Sequence, residues 1–509
     1  MVRRAPVAVP ELHPLVLVPL GLSAWVYYPV TRAFFFADDF VHLVDLENER
    51  TLVFLLKPFG GNAFLFRNLV FLASYRLFGV DPVAFQRTVF VTHLLNVALL
   101  FGVLRAMTGS AWLACLGAAL WGMSPLGVDT LDWYSAFGHV LVGTAMLLVL
   151  RSVIRLDVAG DRIPARAAVT WFALLIVGSA CYGPGIGAAL VFPVVLILLL
   201  PAVWRQPGLR LAFLALPVVT LAFYFGQQYL FRQIGTLSVE EQVHQQAALS
   251  GFGAIPLFWV HLLLYSSAGT ILGFFMPKEY PSLAAWIALS ALVAGTGFLL
   301  WRGGARTRRY ALGVAALWAG IYLMIAIGRG HIYALLNVAA ARAATVGRYH
   351  YAGTIPLAIL LCLVLREAGH LPGLRAAPRS VAVVLLLALA LEGRHASGFR
   401  IDTRPYVHDY FLYTKQDLAS QIAAAPRETP LYLENQKTPW PVLGVAIPER
   451  LVPGRAAVFL LTRSASKLED RDVRFIERDP DVLDWYREEH PDTPLARLLV
   501  APEETPASP

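Results

Sequence analysis

The chain has 509 residues, of which 57% are hydrophobic and 15% are charged, and its formal net charge is +8. Soluble domains carry about 25% charged residues, so this composition excludes a water-soluble globular protein and predicts an integral membrane protein. The arginines are scattered between apolar segments instead of gathering on one basic face, so we expect no nucleic acid partner.

A series of apolar windows follows the chain, and each comes close to the roughly 20 residues that a helix needs to cross the hydrocarbon core. Together they predict an all-α polytopic membrane protein with about eleven transmembrane helices. The first window follows Met-Val-Arg-Arg but lacks a small-residue cleavage site, so we interpret it as an uncleaved first span. The windows are Leu15–Val30, Phe85–Val103, Val140–Ile154, Val169–Ala180, Val191–Leu200, Leu211–Phe225, Leu283–Leu300, Tyr310–Ile327 and Ile355–Leu365.

Basic loops predict the orientation of these spans, because short cytoplasmic loops are enriched in arginine and lysine. Three apolar segments lie between the basic loops at Arg210 and Arg302, and an odd number would put one of these loops on the wrong side. We therefore assign Ile255–Met276, which contains several polar residues, to a re-entrant or interfacial helix. The segments 34–76, 129–135, 232–280 and 329–348 and the C-terminal region then lie on the outer face.

The composition changes sharply after the last apolar run, where charged residues and prolines become frequent. We divide the chain into a transmembrane domain (1–393), an exported small α/β domain (394–500) and a disordered tail (501–509). The runs Pro-Leu-Tyr-Leu-Glu, Ala-Val-Phe-Leu-Leu-Thr and Val-Arg-Phe-Ile-Glu predict strands, and Pro480–Glu489 predicts a helix.

Two adjacent carboxylates, Asp38 and Asp39, follow the first span in the sequence Phe-Phe-Phe-Ala-Asp-Asp-Phe-Val-His. Neighbouring residues of an extended or turn segment point apart, so the two carboxylates can serve different roles. In a cleft of low dielectric, their mutual repulsion would raise one pKa and produce a general base. The alternative is an ordinary solvated acidic loop that caps the span.

A basic amphipathic segment follows, with Arg67 near its start, and we expect it to lie along the outer membrane surface. After the turn Phe-Gly-Val-Asp-Pro, the next span carries His93 and Asn96 near its outer third. This order of elements resembles the C-type glycosyltransferase superfold, and specifically the bacterial protein O-mannosyltransferase and aminoarabinose-transferase group. The chain departs from the group at Arg67-Asn68, where many relatives have Arg-Pro.

Two later segments are similar to elements of the same group. Ser-Pro-Leu-Gly-Val-Asp-Thr-Leu-Asp-Trp places Asp129 and Asp132 in the second outer loop, where either could instead cap the following span. Gly-Arg-Tyr-His places Arg348 and Tyr349 before a late span. A guanidinium at this boundary suits a phosphate leaving group, because its planar fork binds oxyanions in a bidentate manner. The alternative for Arg348 is snorkelling to the interface.

The resemblance implies an inverting glycosyltransferase of the bacterial cytoplasmic membrane, active on the outer face. The donor would be a polyprenyl-phosphate sugar whose lipid tail lies in the bilayer, and the acceptor would be a hydroxyl of a glycan, a lipid or a protein. The residues implied in catalysis are Asp38, Asp39 and Asp129, with Asp38 as the general base. The residues implied in donor binding are Arg67, His93, Asp132, Arg348 and Tyr349.

The outer aspartates also allow a divalent cation, Mg²⁺ or Mn²⁺, with Asp39 and Asp129 as candidate ligands, because hard cations favour carboxylate oxygen. The sequence contains no GxxxxGK[ST] loop and no zinc pattern. The cysteines Cys115, Cys181 and Cys362 fall in apolar stretches without CxxC spacing, so we interpret them as core residues. A nucleotide-sugar donor is left open by the sequence.

The competing function is a membrane transporter or flippase, in which the intramembrane His93 and His139 and the outer aspartates would line a path. Transporters of this kind bind substrate near the midplane with discontinuous helices, and only the segment 183–187 suggests a broken helix here. We also find no internal repeat. A polysaccharide polymerase or ligase is a third interpretation, and it is chemically close to the first.

Overall fold

The computed structural model describes residues 13–35, 38–79, 81–160, 163–235, 253–273, 280–335, 338–370 and 379–402, the short segments 431–435 and 473–477, and residues 420 and 424. In the described residues up to 402 the regular structure is helical, and short 3-10 turns join several of the helices. This confirms the predicted all-α membrane domain. The helices are α1 (Leu17–Tyr27), α2 (Asp38–Asn48), α3 (Thr51–Leu56), α4 (Leu65–Phe78), α5 (Pro82–Thr108), α6 (Ala111–Gly122), α7 (Val128–Leu131), α8 (Phe137–Ala159), α9 (Ala165–Ser179), α10 (Gly183–Leu199), α11 (Pro207–Ile234), α12 (Ala254–Leu272), α13 (Leu283–Arg302), α14 (Ala305–Leu335), α15 (Ala340–Ala344), α16 (Thr354–Ala368) and α17 (Arg379–Asp402).

Seven helical segments of the described chain are long and apolar enough to cross a membrane. An eighth results if α6 and the segment Pro125–Leu131, which meet at a bend of 47°, form one span. The helices α9, α10 and α16 are apolar but shorter, with 15, 17 and 15 residues. The predicted count of about eleven spans included these shorter helices. The chain is therefore an integral, multi-pass membrane protein.

Most of the segment that we expected to be re-entrant or interfacial lies in one continuous helix, α12, which is among the seven. Its polar residues do not interrupt it, because the hydroxyl groups of Ser266 and Ser267 donate to the carbonyl of Leu263 within the same helix, at 3.0 and 2.7 Å. Tyr280, eight residues beyond the end of α12, donates to the carbonyl of His261 at 2.9 Å. The chain thus returns alongside α12 before α13 begins, and whether α12 crosses the bilayer stays a prediction.

The long helix α14 packs closely along α10, and small residues at the contact allow this. A Cβ atom on Gly187 would lie 2.8 Å from the Cβ of Met324, and one on Gly320 would lie 2.9 Å from the Cβ of Val191. Glycine at such positions lets helix backbones approach and pack tightly in the membrane. This contact fixes where the final turns of α14 lie relative to the start of α10.

One end of α14 is anchored by a buried carboxylate, Asp157, near the end of α8. Its oxygens contact Arg306 at 3.0 Å and Arg309 at 3.4 Å, and they accept a hydrogen bond from the hydroxyl of Tyr310 at 2.7 Å. Because the carboxylate is satisfied by both guanidinium groups and the phenol, its burial is compensated. The start of α14 is therefore tied to the end of α8, and we call this the Asp157 end of the bundle.

Two strands are described beyond α17, β1 (Leu431–Asn435) and β2 (Val473–Glu477). They pair in parallel, with Leu431 opposite Val473 and Asn435 opposite Glu477. Both coincide with runs that the sequence predicted as strands. The third predicted strand, the predicted helix Pro480–Glu489 and the predicted tail 501–509 lie outside the described residues.

Candidate active site

The acidic pair opens α2, with Asp38 and Asp39 in the first turn of the helix. A helix N-terminus favours negative charge, and successive helical residues point about 100° apart, so the two carboxylates face different surroundings. Asp39 is fully buried, and its Oδ1 accepts hydrogen bonds from the backbone N–H of Ser135 at 2.6 Å and from the Ser135 hydroxyl at 2.5 Å. Asp38 is partly exposed. Asp39 is thus held by Ser135, and the side chain of Asp38 is partly exposed to solvent.

Arg67 lies buried in α4 next to this pair. Its guanidinium donates to Asn68 Oδ1 at 2.8 Å and to the carbonyl of Ser135 at 3.3 Å. Burial lowers the pKa of Arg67 from its ordinary value, and the charges of Asp39 and Asp38 oppose this effect. Ser135 therefore bonds both Asp39 and Arg67, which brings a carboxylate and a guanidinium to one point.

Asn68 explains the departure from the Arg-Pro pattern. Its side-chain amide donates to the carbonyl oxygens of Phe54, Leu55 and Lys57 at 2.9, 3.4 and 3.2 Å. These carbonyls belong to the end of α3, where a helix leaves its last acceptors without intrahelical partners. Asn68 thus caps α3 and fixes the start of α4 by side-chain hydrogen bonds, where the Arg-Pro pattern would use a proline.

Asp129 supports the turn that carries Arg348. Its Oδ2 accepts a hydrogen bond from the backbone N–H of Gly347 at 2.9 Å. A Cβ atom on Gly347 would lie 2.6 Å from the same oxygen, so the carboxylate lies directly against the glycine. This contact favours a positioning role for Asp129 over the predicted catalytic one. Asp132 is fully buried and directly follows α7.

Arg348 lies over aromatic rings, with its Cζ 5.1 Å from the ring centre of Trp133 and 5.3 Å from that of Tyr349. Burial works against its charge, but the neighbouring Tyr349 and Asp38, among other groups, outweigh burial and raise the pKa of Arg348. Arg348 is therefore a permanent cation within electrostatic reach of Asp38.

The hydroxyl groups of Tyr349 and Tyr333 form a hydrogen bond with each other, with 2.8 Å between their oxygens. Burial would raise the pKa of Tyr349, but the guanidinium groups of Arg329 and Arg348 outweigh burial and lower it below the ordinary value. The Tyr349 oxygen therefore lies in a strongly positive environment.

His93 does not join this group. Its Nδ1 shares a hydrogen bond with the hydroxyl of Tyr351 at 2.9 Å, and its Nε2 contacts the carbonyl of Gly122 at 3.0 Å. The hydroxyl of Tyr351 also accepts from Asn96 at 3.2 Å. Because His93 is buried and both ring nitrogens are occupied, the structure gives it a packing role that ties α5 to α6 and to the start of α16. We therefore do not use His93 in the donor site described below, and its predicted part in donor binding stays a prediction.

A cavity of about 490 Å³ opens at this same end of the bundle, and small-molecule sites typically measure about 300–1,000 Å³. Part of its lining is apolar and comes from α10, α11 and α14, with Ile186, Leu190, Leu221, Phe225, Met324 and Ile325. The polar side chains in the lining are Asn62, His139, Tyr182, Tyr224, Gln228, Arg232, Arg329, His331 and Tyr349. Asp38 lies outside this lining but within electrostatic reach of Tyr182.

Sequence reasoning missed Arg329, which belongs to the last two turns of α14. Its guanidinium lies against a tight turn in which Phe59 and Asn62 form paired backbone hydrogen bonds around Gly60 and Gly61. The two glycines have φ values of +55° and +72°, as a type I′ turn requires. A Cβ atom on Gly60 would lie 3.1 Å from Arg329 Nη2. An arginine near the end of a long apolar helix was the available signal.

The turn is held from two further sides. The Asn62 side chain accepts from the backbone N–H of Gly183, at the start of α10, at 3.1 Å. From α11, the Tyr224 hydroxyl donates to the carbonyl of Gly61 at 2.9 Å, and the Gln227 amide donates to the carbonyl of Leu56 at 3.2 Å. The turn therefore connects α3, α10, α11 and α14 at the mouth of the cavity.

No family model matches the chain, and no curated protein matches it. Among solved structures, the chain is similar to ArnT from Cupriavidus metallidurans, determined in complex with undecaprenyl phosphate. The two share 16% sequence identity, with a TM-score of 0.42, over 94% of this chain and 88% of that chain. ArnT is an aminoarabinose transferase, from the group that the sequence motifs resemble. Because the TM-score lies below 0.5, we base the proposals on this chain's own residues.

The predicted cation stays a prediction, and the structure shows what its two candidate ligands contact. Among the residues described, no three or more His, Cys, Asp or Glu side chains gather in a way that could hold a metal ion. Asp39 bonds Ser135, and Asp129 bonds Gly347, so the two candidate ligands serve different contacts. The three cysteines are buried, as expected of core residues. We therefore derive no step through a metal.

Proposed function

We propose that the protein transfers a sugar from a polyprenyl-phosphate donor to an acceptor hydroxyl of a glycan, a lipid or a protein. The observation that carries this proposal is the cavity, which joins an apolar lining to Arg329 and whose lining residue Tyr182 lies within electrostatic reach of Arg348, Arg67 and Asp38. An amphipathic ligand with a long lipid and an anionic head matches this combination. We further propose that the site lies on the outer face of the bacterial cytoplasmic membrane.

The apolar part of the cavity would hold the first isoprenoid units. Leu221 and Phe225 on α11 and Leu190 on α10 provide this contact. The phosphate would lie at Arg329, whose planar guanidinium can donate two parallel hydrogen bonds to a phosphate. Burying apolar surface contributes about 25 cal/mol per Å², so the lipid tail would supply much of the binding affinity. The arginine would fix the position of the phosphate in the cavity.

The chemical step would be a single displacement at the anomeric carbon. Asp38 accepts the proton of the acceptor hydroxyl, the acceptor oxygen forms a bond to the anomeric carbon, and the bond from that carbon to the phosphate oxygen breaks. The anomeric configuration inverts, and the electron pair leaves with the polyprenyl phosphate. Arg348 and Arg67 stabilise the charge that develops on the leaving phosphate, because preorganised cations act most strongly where charge appears during the reaction.

Replacing the base tests the proposal. Asp38→Asn should lower transfer by about 10²–10⁴-fold, as is typical when a positioned base is removed, with little change in stability, because Asp38 is partly exposed. Purified protein would be assayed with a panel of radiolabelled undecaprenyl-phosphate sugars and envelope extracts as acceptors. Full activity of Asp38→Asn would refute the assignment.

Asp81→Asn is the matched control. Asp81 is an exposed aspartate that caps α5 by accepting from the backbone N–H of Val83 at 3.0 Å, and asparagine caps about as well. This variant should retain activity. The transporter alternative predicts a different result, namely uptake or lipid scrambling in liposomes without any glycosyl transfer. Addition of EDTA would separately test the predicted cation.

A further inference from the structure

His139 is a buried histidine that the proposed chemistry has not used. It lies in the first turn of α8, is 1% exposed and belongs to the lining of the cavity. Neither of its ring nitrogens has a hydrogen-bond partner in the part of the chain that the structure describes. In contrast, His93 and His350, which are equally buried, have both nitrogens bonded within the protein.

The position of the His139 ring is closely defined. The ring stacks on Tyr182 with 3.8 Å between ring centres and 31° between the planes. The preceding residue is glycine, and a Cβ atom there would lie 2.6 Å from the carbonyl of Cys181. Gly138 thus lets α8 approach the connection between α9 and α10, and this brings the two rings together.

A buried imidazole without partners is unfavourable in the ligand-free protein, and such a group calls for a functional explanation. A neutral imidazole offers one donor and one acceptor, which complements a hydroxyl, because a hydroxyl also does both. Positive charge in the cavity is already supplied by Arg329 and Arg232. The unpartnered nitrogens therefore suit an uncharged, hydroxyl-rich ligand better than a second anion.

We propose that His139 and Tyr182 bind the sugar ring of the lipid-linked donor. The His139 nitrogens hydrogen-bond to sugar hydroxyls near the plane of the imidazole, and Tyr182, stacked on one face of that ring, fixes the plane. This inference rests on the proposed function. A sugar could belong to donor or acceptor, but Arg329 and the apolar lining share this cavity, and the donor sugar is joined directly to the phosphate. Sites that hydrogen-bond a substrate hydroxyl discriminate strongly against analogues that lack it.

The experiment compares two kinds of probe on the purified, full-length protein in nanodiscs. One is undecaprenyl phosphate, and the other is a set of its glucose, mannose and galactose derivatives. Wild type should bind at least one derivative more tightly than undecaprenyl phosphate. His139→Phe, which keeps a stacking ring, should bind that derivative about three- to tenfold more weakly, which is the usual effect of losing one or two neutral hydrogen bonds. The variant should bind undecaprenyl phosphate with the affinity of wild type.

Two further variants separate binding from folding. His139→Gln restores a donor and an acceptor and should recover part of the lost affinity. His370→Phe, an exposed histidine outside the cavity, is the matched control and should behave as wild type. Because His139 forms no hydrogen bond within the described protein, ligand-free His139→Phe should melt no lower than wild type. A markedly lower melting temperature would show a structural role and overturn the inference.

The outcomes distinguish this inference from the proposed function. If wild type binds undecaprenyl phosphate but no derivative more tightly, or if His139→Phe keeps the full preference, the inference is wrong and the lipid-phosphate site stands. If His139→Phe loses undecaprenyl phosphate itself, the ring contacts the phosphate and the sugar assignment is wrong. If wild type binds neither kind of probe, the proposed function fails together with the inference.

Discussion

Replacing Asp39 by asparagine tests whether this carboxylate holds the site together. Asp39 accepts two hydrogen bonds from Ser135 and lies near the buried Arg67. Hydrogen bonds to a charged group contribute about 1.5–3 kcal/mol each, and the neutral amide would lose roughly half of this. Removing one charge also leaves the buried guanidinium poorly compensated. We therefore expect Asp39→Asn to cost about 3–5 kcal/mol, as for other broken buried pairs.

The assay is the thermal unfolding of purified protein in detergent, and Asp39→Asn should lower the melting temperature by several degrees. Ser135→Ala is the comparison, because it removes the hydroxyl and keeps the backbone N–H. This variant should lose only about 1 kcal/mol of unfolding free energy. The double variant should be less destabilised than the sum, since both changes remove the same contact. An unchanged melting temperature for Asp39→Asn would contradict the role we assign to this carboxylate.

Gly60→Ala should impair undecaprenyl phosphate binding more than Gly109→Ala; both glycines have φ values near +60°, where alanine costs about 1–2 kcal/mol, but only at Gly60 would the new Cβ meet Arg329. Equal binding by the two variants would refute a role for the turn in placing Arg329. A third prediction concerns pH. Burial lowers the pKa of His350 to about 4 in the folded protein, so as the pH falls this histidine takes up a proton in the unfolded chain before it does so in the folded protein. Stability should therefore decline from pH ~6.5 to ~4, by up to about 3 kcal/mol from this group. His350→Gln should flatten the dependence of melting temperature on pH, and an unchanged slope would assign the decline to other groups.

The order of the motifs along the chain predicts which polar groups come together, because each motif follows the span that carries it. Asp38, Arg67 and Arg348 are separated by hundreds of residues or by a helix, yet the structure brings both arginines within electrostatic reach of Asp38. Alternation of spans returns the chain to the same face, and this can be predicted from hydropathy and charge. What hydropathy cannot supply is the direction of each side chain.

Histidines illustrate this difficulty. His93 is a polar residue in an apolar span, and the sequence therefore suggested a functional role. Its hydrogen-bond partner Tyr351 lies 258 residues away in sequence, so this internal hydrogen bond could not be predicted. His139 also lies in an apolar stretch, but its ring nitrogens have no hydrogen-bond partner in the described structure. Only the tertiary contacts separate a packing histidine from one available to a ligand.

The apolar segment with polar residues that forms α12 shows a second limit. Serine and threonine suggested an interrupted helix, but in α12 their hydroxyl groups bond to carbonyls one turn earlier. In an apolar environment a hydroxyl can be satisfied in this way without breaking the helix. The strands of the C-terminal region were easier to predict, because short β-branched and aromatic runs such as Val473–Glu477 favour strands locally.

The anchoring of α14 at the Asp157 end has a consequence for the cavity some distance away. A helix of 31 residues is about 45 Å long and resists compression along its axis. Fixing Arg306, Arg309 and Tyr310 therefore also fixes the rotation and height at which Arg329 emerges. Inserting one residue between these points would turn Arg329 by about 100° while leaving the anchor intact. The position of Arg329 in the proposed phosphate site is in this sense set from the other end of α14.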